Sequence, residues 1–91
     1  MPRNYINNLP FVAVMAKRYL DIVIAKELLH DGTPVFVANC TALHVTSQGR
    51  TMEEAMANIK EAVGLYLEEC PEKLAEAGLE TPPTFSFIEV A

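Results

Sequence analysis

The sequence has few of the residues that a nucleic-acid-binding or disulfide-stabilised protein needs. Its 91 residues include no tryptophan, two cysteines and seven lysines and arginines, which are scattered along the chain. Phosphate contacts need clustered cations, so we expect no direct binding of nucleic acid. Two cysteines without a convincing export signal are expected to be reduced thiols, as in the cytoplasm. The apolar run over residues 9–16 is too short to span a bilayer, which predicts a cytoplasmic protein with no membrane contact.

Apolar residues are abundant instead. They make up 51% of the chain while charged residues make up 21%, a high apolar share for so small a single domain. A chain of this length buries a modest core unaided, so we expect a homodimer or a higher homo-oligomer. The net charge is −5, and eight acidic residues against two basic ones lie between Thr51 and Glu80. The simpler interpretation of this acidic half is a solvated helix face, and the alternative is a surface that docks a basic protein.

One long amphipathic helix is the clearest element in the sequence. Thr51 and Glu54 have the spacing of a capping box, in which the Thr51 hydroxyl accepts from the Glu54 amide and the Glu54 carboxylate accepts from the Thr51 amide. Apolar residues then recur at three-and-four spacing as far as Cys70, and Pro71 ends or interrupts the helix. We expect one stripe of this helix to be core: Met52, Met56, Ile59 and Val63.

Three strands precede the long helix. Residues 19–29 and 34–40 are apolar, β-branched runs separated by Asp31-Gly32, and this pattern predicts a hairpin. A turn at Thr41-Ala42 leads to a third strand over residues 43–48, in which apolar and polar residues alternate.

The two ends of the chain carry shorter elements. Residues 11–17 are apolar, and so short a run is compatible with either a helix or a strand. After the long helix, residues 72–77 followed by Gly78 predict a short helix with a glycine stop. Pro82-Pro83 then predicts an extended spacer, and residues 84–90 predict a final strand.

These elements predict a single α+β domain over residues 1–91. A short N-terminal helix within residues 1–18 is followed by a three-stranded antiparallel meander packed on one long helix, over residues 19–70. A short turn, the spacer and an extra C-terminal strand occupy residues 71–91. That last strand is expected either to join beside the first strand through a right-handed crossover or to pair with another copy.

A motif at the start of the long helix resembles that of a known family. It consists of Ser47-Gln48-Gly49, Thr51 and Glu54-Ala55, and it stands downstream of Asp31-Gly32. Together these residues resemble the HicB-like antitoxin family, in its short form without a C-terminal DNA-binding module. The resemblance extends from Tyr19 to about Pro83. Arg50 departs from the pattern, because an acidic residue is usual there.

The resemblance implies both a fold and a partner. The fold is a partial ribonuclease-H-like one, also similar to double-stranded-RNA-binding domains, with the order α-β-β-β-α-β and without ribonuclease activity. The function is that of a prokaryotic antitoxin in a type II toxin-antitoxin pair, which binds and silences a small basic HicA-like ribonuclease toxin.

The residue types that carry chemistry form no convincing site. Cys40 and His44 are four residues apart, but no group orients the imidazole and no oxyanion-hole pattern accompanies them, so we expect a buried thiol near a surface imidazole. No closely spaced pair of cysteines or histidines supports zinc. The alternation of Asp21, Glu27 and Asp31 does not aim these carboxylates at one magnesium ion. We therefore predict no enzyme activity, no cofactor and no metal site.

Two surfaces remain as candidate interfaces. One is the acidic helix face, represented by Glu53, Glu61 and Glu68, and the other is the sheet face that the helix leaves open, with Val23, Val35 and Val37. Two alternatives to an antitoxin stay open: an RNA-processing or metal-dependent enzyme with a ribonuclease-like fold, and a structural homo-oligomer without a partner.

Overall fold

A three-stranded antiparallel sheet and one long helix form the fold of residues 17–91, which are the residues that the computed structural model describes. The elements follow in chain order: β1 (Val23–Leu28), β2 (Pro34–Cys40), β3 (Val45–Gly49), α1 (Met52–Glu69) and α2 (Glu72–Ala77). This is the α+β class that the sequence predicts. The predicted N-terminal helix lies outside the described residues, apart from the last two of residues 1–18.

The sheet has the order β1-β2-β3, with each strand paired to the next along the chain. Ile24 of β1 lies opposite Ala38 of β2, and Ala38 lies opposite Ser47 of β3.

Asp31 and Gly32 form the predicted hairpin: the Asp31 carboxylate accepts from the Thr33 amide at 2.9 Å, and Gly32 has φ +91°, which favours glycine. The Thr33 amide also lowers the pKa of the Asp31 carboxyl below its ordinary value.

The second connection is a single turn of 3₁₀ helix, Thr41–Leu43. The His44 amide donates to the Thr41 carbonyl at 3.2 Å, and His44 itself is left-handed, with φ +58°. The turn predicted at Thr41-Ala42 is therefore longer than expected. Leu43, predicted as the first residue of β3, belongs to this turn and is buried.

Helix α1 packs chiefly on β3 and β2 and has few contacts with β1. Ala38, Ala55 and Ile59 are completely buried and form the centre of this contact. The stripe predicted as core is wrong in part, since Met52 is 53% exposed and Met56 is 40% exposed. Met56 lies on the side of α1 nearest β1, which the described strands only partly cover.

The first strand is shorter than predicted. Residues 19–22 do not pair with β2, and Tyr19 instead forms an isolated antiparallel bridge with Leu79. The Tyr19 amide donates to the Leu79 carbonyl at 2.8 Å, and the Leu79 amide donates back at 2.7 Å. This bridge ties the chain after α2 to the segment before β1. The predicted short helix over residues 72–77 is confirmed as α2.

Residues 84–90 do not form the strand that the sequence predicts. They have no regular secondary structure. Phe85, Phe87, Ile88 and Val90 are 61%, 94%, 82% and 73% exposed. A strand requires a hydrogen-bonded neighbour, and none of residues 17–91 supplies one for this segment.

Candidate partner-binding surface

The turn before α1 is held by side chains of the sequence motif. The Thr51 hydroxyl accepts from the Glu54 amide at 3.0 Å, as predicted. The Glu54 carboxylate accepts from the Arg50 amide and not from the Thr51 amide, so the reciprocal bond lies one residue earlier than expected. Two amides at the helix start are thus satisfied without water.

Gly49 and Asn58 fix the position of α1 relative to β3. A Cβ atom on Gly49 would lie 2.5 Å from the Ala55 amide nitrogen, so the helix approaches β3 more closely than any other residue would allow. The Asn58 side-chain amide donates to the Gln48 carbonyl at 2.8 Å. Sequence reasoning did not single out Asn58. The sequence did indicate this bond, because asparagine is a poor helix former and an asparagine in the middle of a helix often has a side chain that is hydrogen-bonded to the backbone.

The predicted acidic surface lies along the outer side of α1. Glu53, Glu61 and Glu68 are all exposed. They fall within one sector of the helix, and Glu68 lies fifteen residues after Glu53, or about 22 Å along the axis at 1.5 Å per residue. Lys60 is the single cation in α1. We call this surface the acidic face.

The charges of the acidic face are free of protein partners in the described part of the chain. The one ion pair found among residues 17–91 joins Lys73 and Glu76 in α2, at 3.4 Å, and there Glu76 raises the pKa of the Lys73 ammonium. Because both of those side chains are well exposed, that pair contributes little to stability. The carboxylates of the acidic face are therefore available to a cationic partner.

An exposed leucine interrupts the acidic face, and sequence reasoning missed it. Leu65 is 57% exposed and lies four residues after Glu61 and three before Glu68, so the three side chains share one line on the helix. Its signal in the sequence was a large apolar residue flanked at helical spacing by two glutamates. A mixed acidic and apolar strip of this kind offers both attraction and apolar contact to a partner.

The helix-free sheet face is less open than the sequence predicts. Val23 is 52% exposed, Val37 is half-buried, and Val35 is buried, with 7% of its surface exposed. On this face Val37 has the polar neighbour Gln48 across the β2–β3 ladder. Thr46 also donates its hydroxyl proton to the Asn39 side-chain oxygen at 3.2 Å. The three valines thus do not make one continuous apolar patch in the single chain.

The residues considered for catalysis and metal binding lie in different surroundings. Cys40 is a fully buried free thiol and His44 is exposed, as the sequence predicts. Glu27 is exposed on β1, while the Asp31 carboxylate is engaged by the hairpin. Over residues 17–91 no three or more histidine, cysteine or acidic side chains come together in a way that could hold a metal ion.

An apolar groove of about 450 Å³ lies between α1 and the segment before β1. Its lining is mostly apolar, with two cations, and consists of Arg18, Tyr19, Leu20, Ile22, Met56, Ile59, Lys60, Val63 and Gly64. The groove follows from the packing of α1 on β2 and β3, which leaves the β1 side of the helix partly uncovered.

None of the helices in the described part of the chain has both the length and the apolar character needed to cross a membrane.

Comparison of the chain with protein-family models, with curated proteins and with solved structures finds no match. The resemblance to HicB-like antitoxins therefore rests on the sequence motif and its upstream hairpin.

Proposed function

We propose that this protein is an antitoxin-like binding protein that covers the RNA-binding surface of a small basic ribonuclease toxin of the HicA-like kind. The observation that carries the proposal is the acidic face of α1. Glu53, Glu61 and Glu68 are exposed, share one sector of the helix and have no cationic partner in the part of the chain that the structure describes. A ribonuclease that binds phosphates with lysines and arginines presents the complementary charge.

The geometry of the helix start supports the same proposal. Gly49, the Thr51 cap and the Asn58 bond to Gln48 hold α1 in one orientation on the sheet. A surface on a fixed helix loses little conformational freedom on binding, so more of its contact energy appears as affinity. The motif that resembles the HicB-like family thus keeps the acidic face in a fixed position relative to the sheet.

Leu65 supplies the apolar part of the proposed contact. Charged groups at a rim mainly accelerate encounter, while buried apolar contacts slow dissociation. Leu65 stands between Glu61 and Glu68 and is 57% exposed, so a partner that neutralises the glutamates also covers this side chain.

The proposal includes the finer architecture that the resemblance implies, a partial ribonuclease-H-like fold with a fourth strand. Residues 84–90 have the apolar alternation of that strand and exposed side chains. The sheet of residues 17–91 has an open edge at β1, where another strand fits.

The test uses a purified small basic ribonuclease of the HicA-like kind and measures its association with this protein by stopped flow, together with protection of an RNA substrate from cleavage. The triple variant E53Q/E61Q/E68Q should associate about 10- to 100-fold more slowly at low salt and show a weaker salt dependence. Leu65→Ser should leave the association rate nearly unchanged and accelerate dissociation about tenfold or more.

The matched control is E27Q/E72Q/E80Q, which removes the same three charges from exposed positions outside the acidic face. It should keep most of the wild-type association rate. Equal loss in both triple variants would show that net charge alone matters and would contradict the assignment of the surface. Wild-type protein that neither binds a basic ribonuclease nor protects RNA from it would contradict the function itself.

A further inference from the structure

The C-terminal segment, residues 84–90, carries apolar side chains that a soluble monomer has no reason to expose together. Phe87 is 94% exposed and Ile88 is 82% exposed, and Phe85 and Val90 are also open. Phe85 and Phe87 would point to one side of an extended strand, and Ile88 and Val90 to the other. This segment therefore has the composition of a strand with two apolar faces, which is typical of strands buried within a sheet.

The backbone before this segment leads it away from its own sheet. Leu79 pairs antiparallel with Tyr19, so the chain after Leu79 runs opposite to the direction in which Tyr19 leads into β1. Pro82-Pro83 then favours extended backbone.

The edge of β1 is a suitable receiver for such a strand. Among residues 17–91 β1 pairs with β2 alone, so its other edge presents unpaired backbone groups. The apolar groove lies beside this edge, between Ile22 and the Met56 and Val63 side of α1. Val23 is exposed on the opposite face of the same strand.

The two surfaces match in polarity and in charge. A strand added beside β1 with Phe85 and Phe87 toward α1 places both rings in the apolar groove. The groove carries the cations Arg18 and Lys60, and Glu89 lies on the same side of the segment as the two phenylalanines. Ile88 and Val90 then face the side of the sheet on which Val23 is exposed.

We propose that residues 84–90 of one copy add as a fourth strand to the β1 edge of a second copy, and that the second copy returns its own segment in the same way. Such a reciprocal exchange is closed and two-fold symmetric. Each buried phenylalanine removes about 150–250 Å² from water, so four rings and the grooves that receive them approach the roughly 1,600 Å² of a standard interface.

The test measures mass against concentration for the full-length chain by light scattering and sedimentation. The chain of 10.1 kDa should form a dimer of twice that mass. The double variant F85S/F87S should raise the dimer dissociation constant about 100-fold or more, because it removes two buried rings from each exchanged segment. Leu65→Ser, on the acidic face, is the matched control and should leave the dimer unchanged.

A second variant blocks the groove without disturbing the chain. No atom lies within 4 Å of a Cβ built on Gly64, which lines the groove, so Gly64→Gln should fold normally and weaken the dimer about tenfold or more. F85S/F87S keeps an intact groove, and G64Q keeps an intact C-terminal segment. A mixture of the two should therefore form a mixed dimer in excess of either homodimer, as native mass spectrometry would show.

Three results would overturn the exchange. The first is a wild-type chain that stays monomeric up to high concentration. The second is a dimer that survives both F85S/F87S and G64Q, which would place the contact elsewhere, for example on residues 1–16. The third is a mixture that forms no mixed dimer, as expected if the segment docks on its own β1. Failure of the exchange leaves binding by the acidic face unaffected, because F85S/F87S lies outside α1 and E53Q/E61Q/E68Q leaves residues 84–90 intact.

Discussion

Gly49 is the residue at which the sheet and α1 approach each other most closely. A Cβ there would lie 2.5 Å from the Ala55 amide nitrogen and 2.8 Å from two atoms of Glu54. The atoms that it would meet are mostly backbone at the helix start, which cannot rotate away as a side chain can. We expect Gly49→Ala to lower the free energy of unfolding by about 1–3 kcal/mol, measured by urea denaturation at fixed protein concentration.

Gly64→Ala is the control for this substitution. Gly64 lies inside α1, and nothing stands within 4 Å of an added Cβ. Because glycine in a helix interior costs about 0.5–1 kcal/mol relative to alanine, Gly64→Ala should stabilise the protein by that amount. A neutral Gly49→Ala would show that α1 can shift on the sheet and that the motif does not fix its orientation.

Helix α1 depends at its first turn on a cap that the sequence encodes locally. The Thr51 hydroxyl accepts from the Glu54 amide at 3.0 Å. Thr51→Ala leaves that amide without its partner and should lower stability by about 1 kcal/mol, as thermal and urea unfolding can measure. Thr51→Ser retains the hydroxyl and should stay within a few tenths of a kcal/mol of wild type. Equal losses in both variants would mean that the threonine methyl group, and not the cap, is responsible.

Elements set by local signals were predicted well, and elements that need a distant neighbour were not. β2 has the predicted bounds because its β-branched run lies between two turns, and α1 ends one residue before the predicted Cys70. The alternation in residues 84–90 encodes a preference for extended backbone but does not specify the strand beside it. Met56 likewise has the spacing of a core residue, and its exposure depends on the width of the sheet, which periodicity does not contain.

In the candidate site too, features set by local spacing were predicted, and features that depend on tertiary packing were not. The exposure of Glu53, Glu61 and Glu68 follows from their helical spacing and was predictable. Leu65 was missed because helical spacing alone does not show whether an apolar residue among polar ones is exposed. The structure shows that neither α1 nor the sheet covers this side chain. The burial of Val35 depends on tertiary packing and was not available from alternation within β2.

At the scale of the molecule, residues 17–91 bury little of their apolar content in one copy. Among residues 17–91 the buried hydrophobic residues are Val35, Ala38, Cys40, Leu43, Ala55 and Ile59. Three of these six are small or of moderate size, and eleven large hydrophobic residues in the same part of the chain are exposed. A core this small supplies limited stability to the described part of the chain. Association is therefore expected to contribute to the stability of the folded chain, which stays a prediction until the mass in solution is measured.

Coupling between folding and association predicts that stability depends on protein concentration. If the exchanged dimer unfolds as a unit, each tenfold increase in concentration should raise its apparent free energy of unfolding by about 1.4 kcal/mol, the value of RT ln 10. The urea midpoint of the wild-type chain should accordingly rise across a 100-fold concentration series followed by circular dichroism. F85S/F87S should give one midpoint over the concentrations at which it is monomeric, because a monomer unfolds without dissociating. A midpoint that does not move for the wild type would mean that the monomer is stable alone, and that the exposed apolar residues of residues 84–90 contribute nothing to its folding.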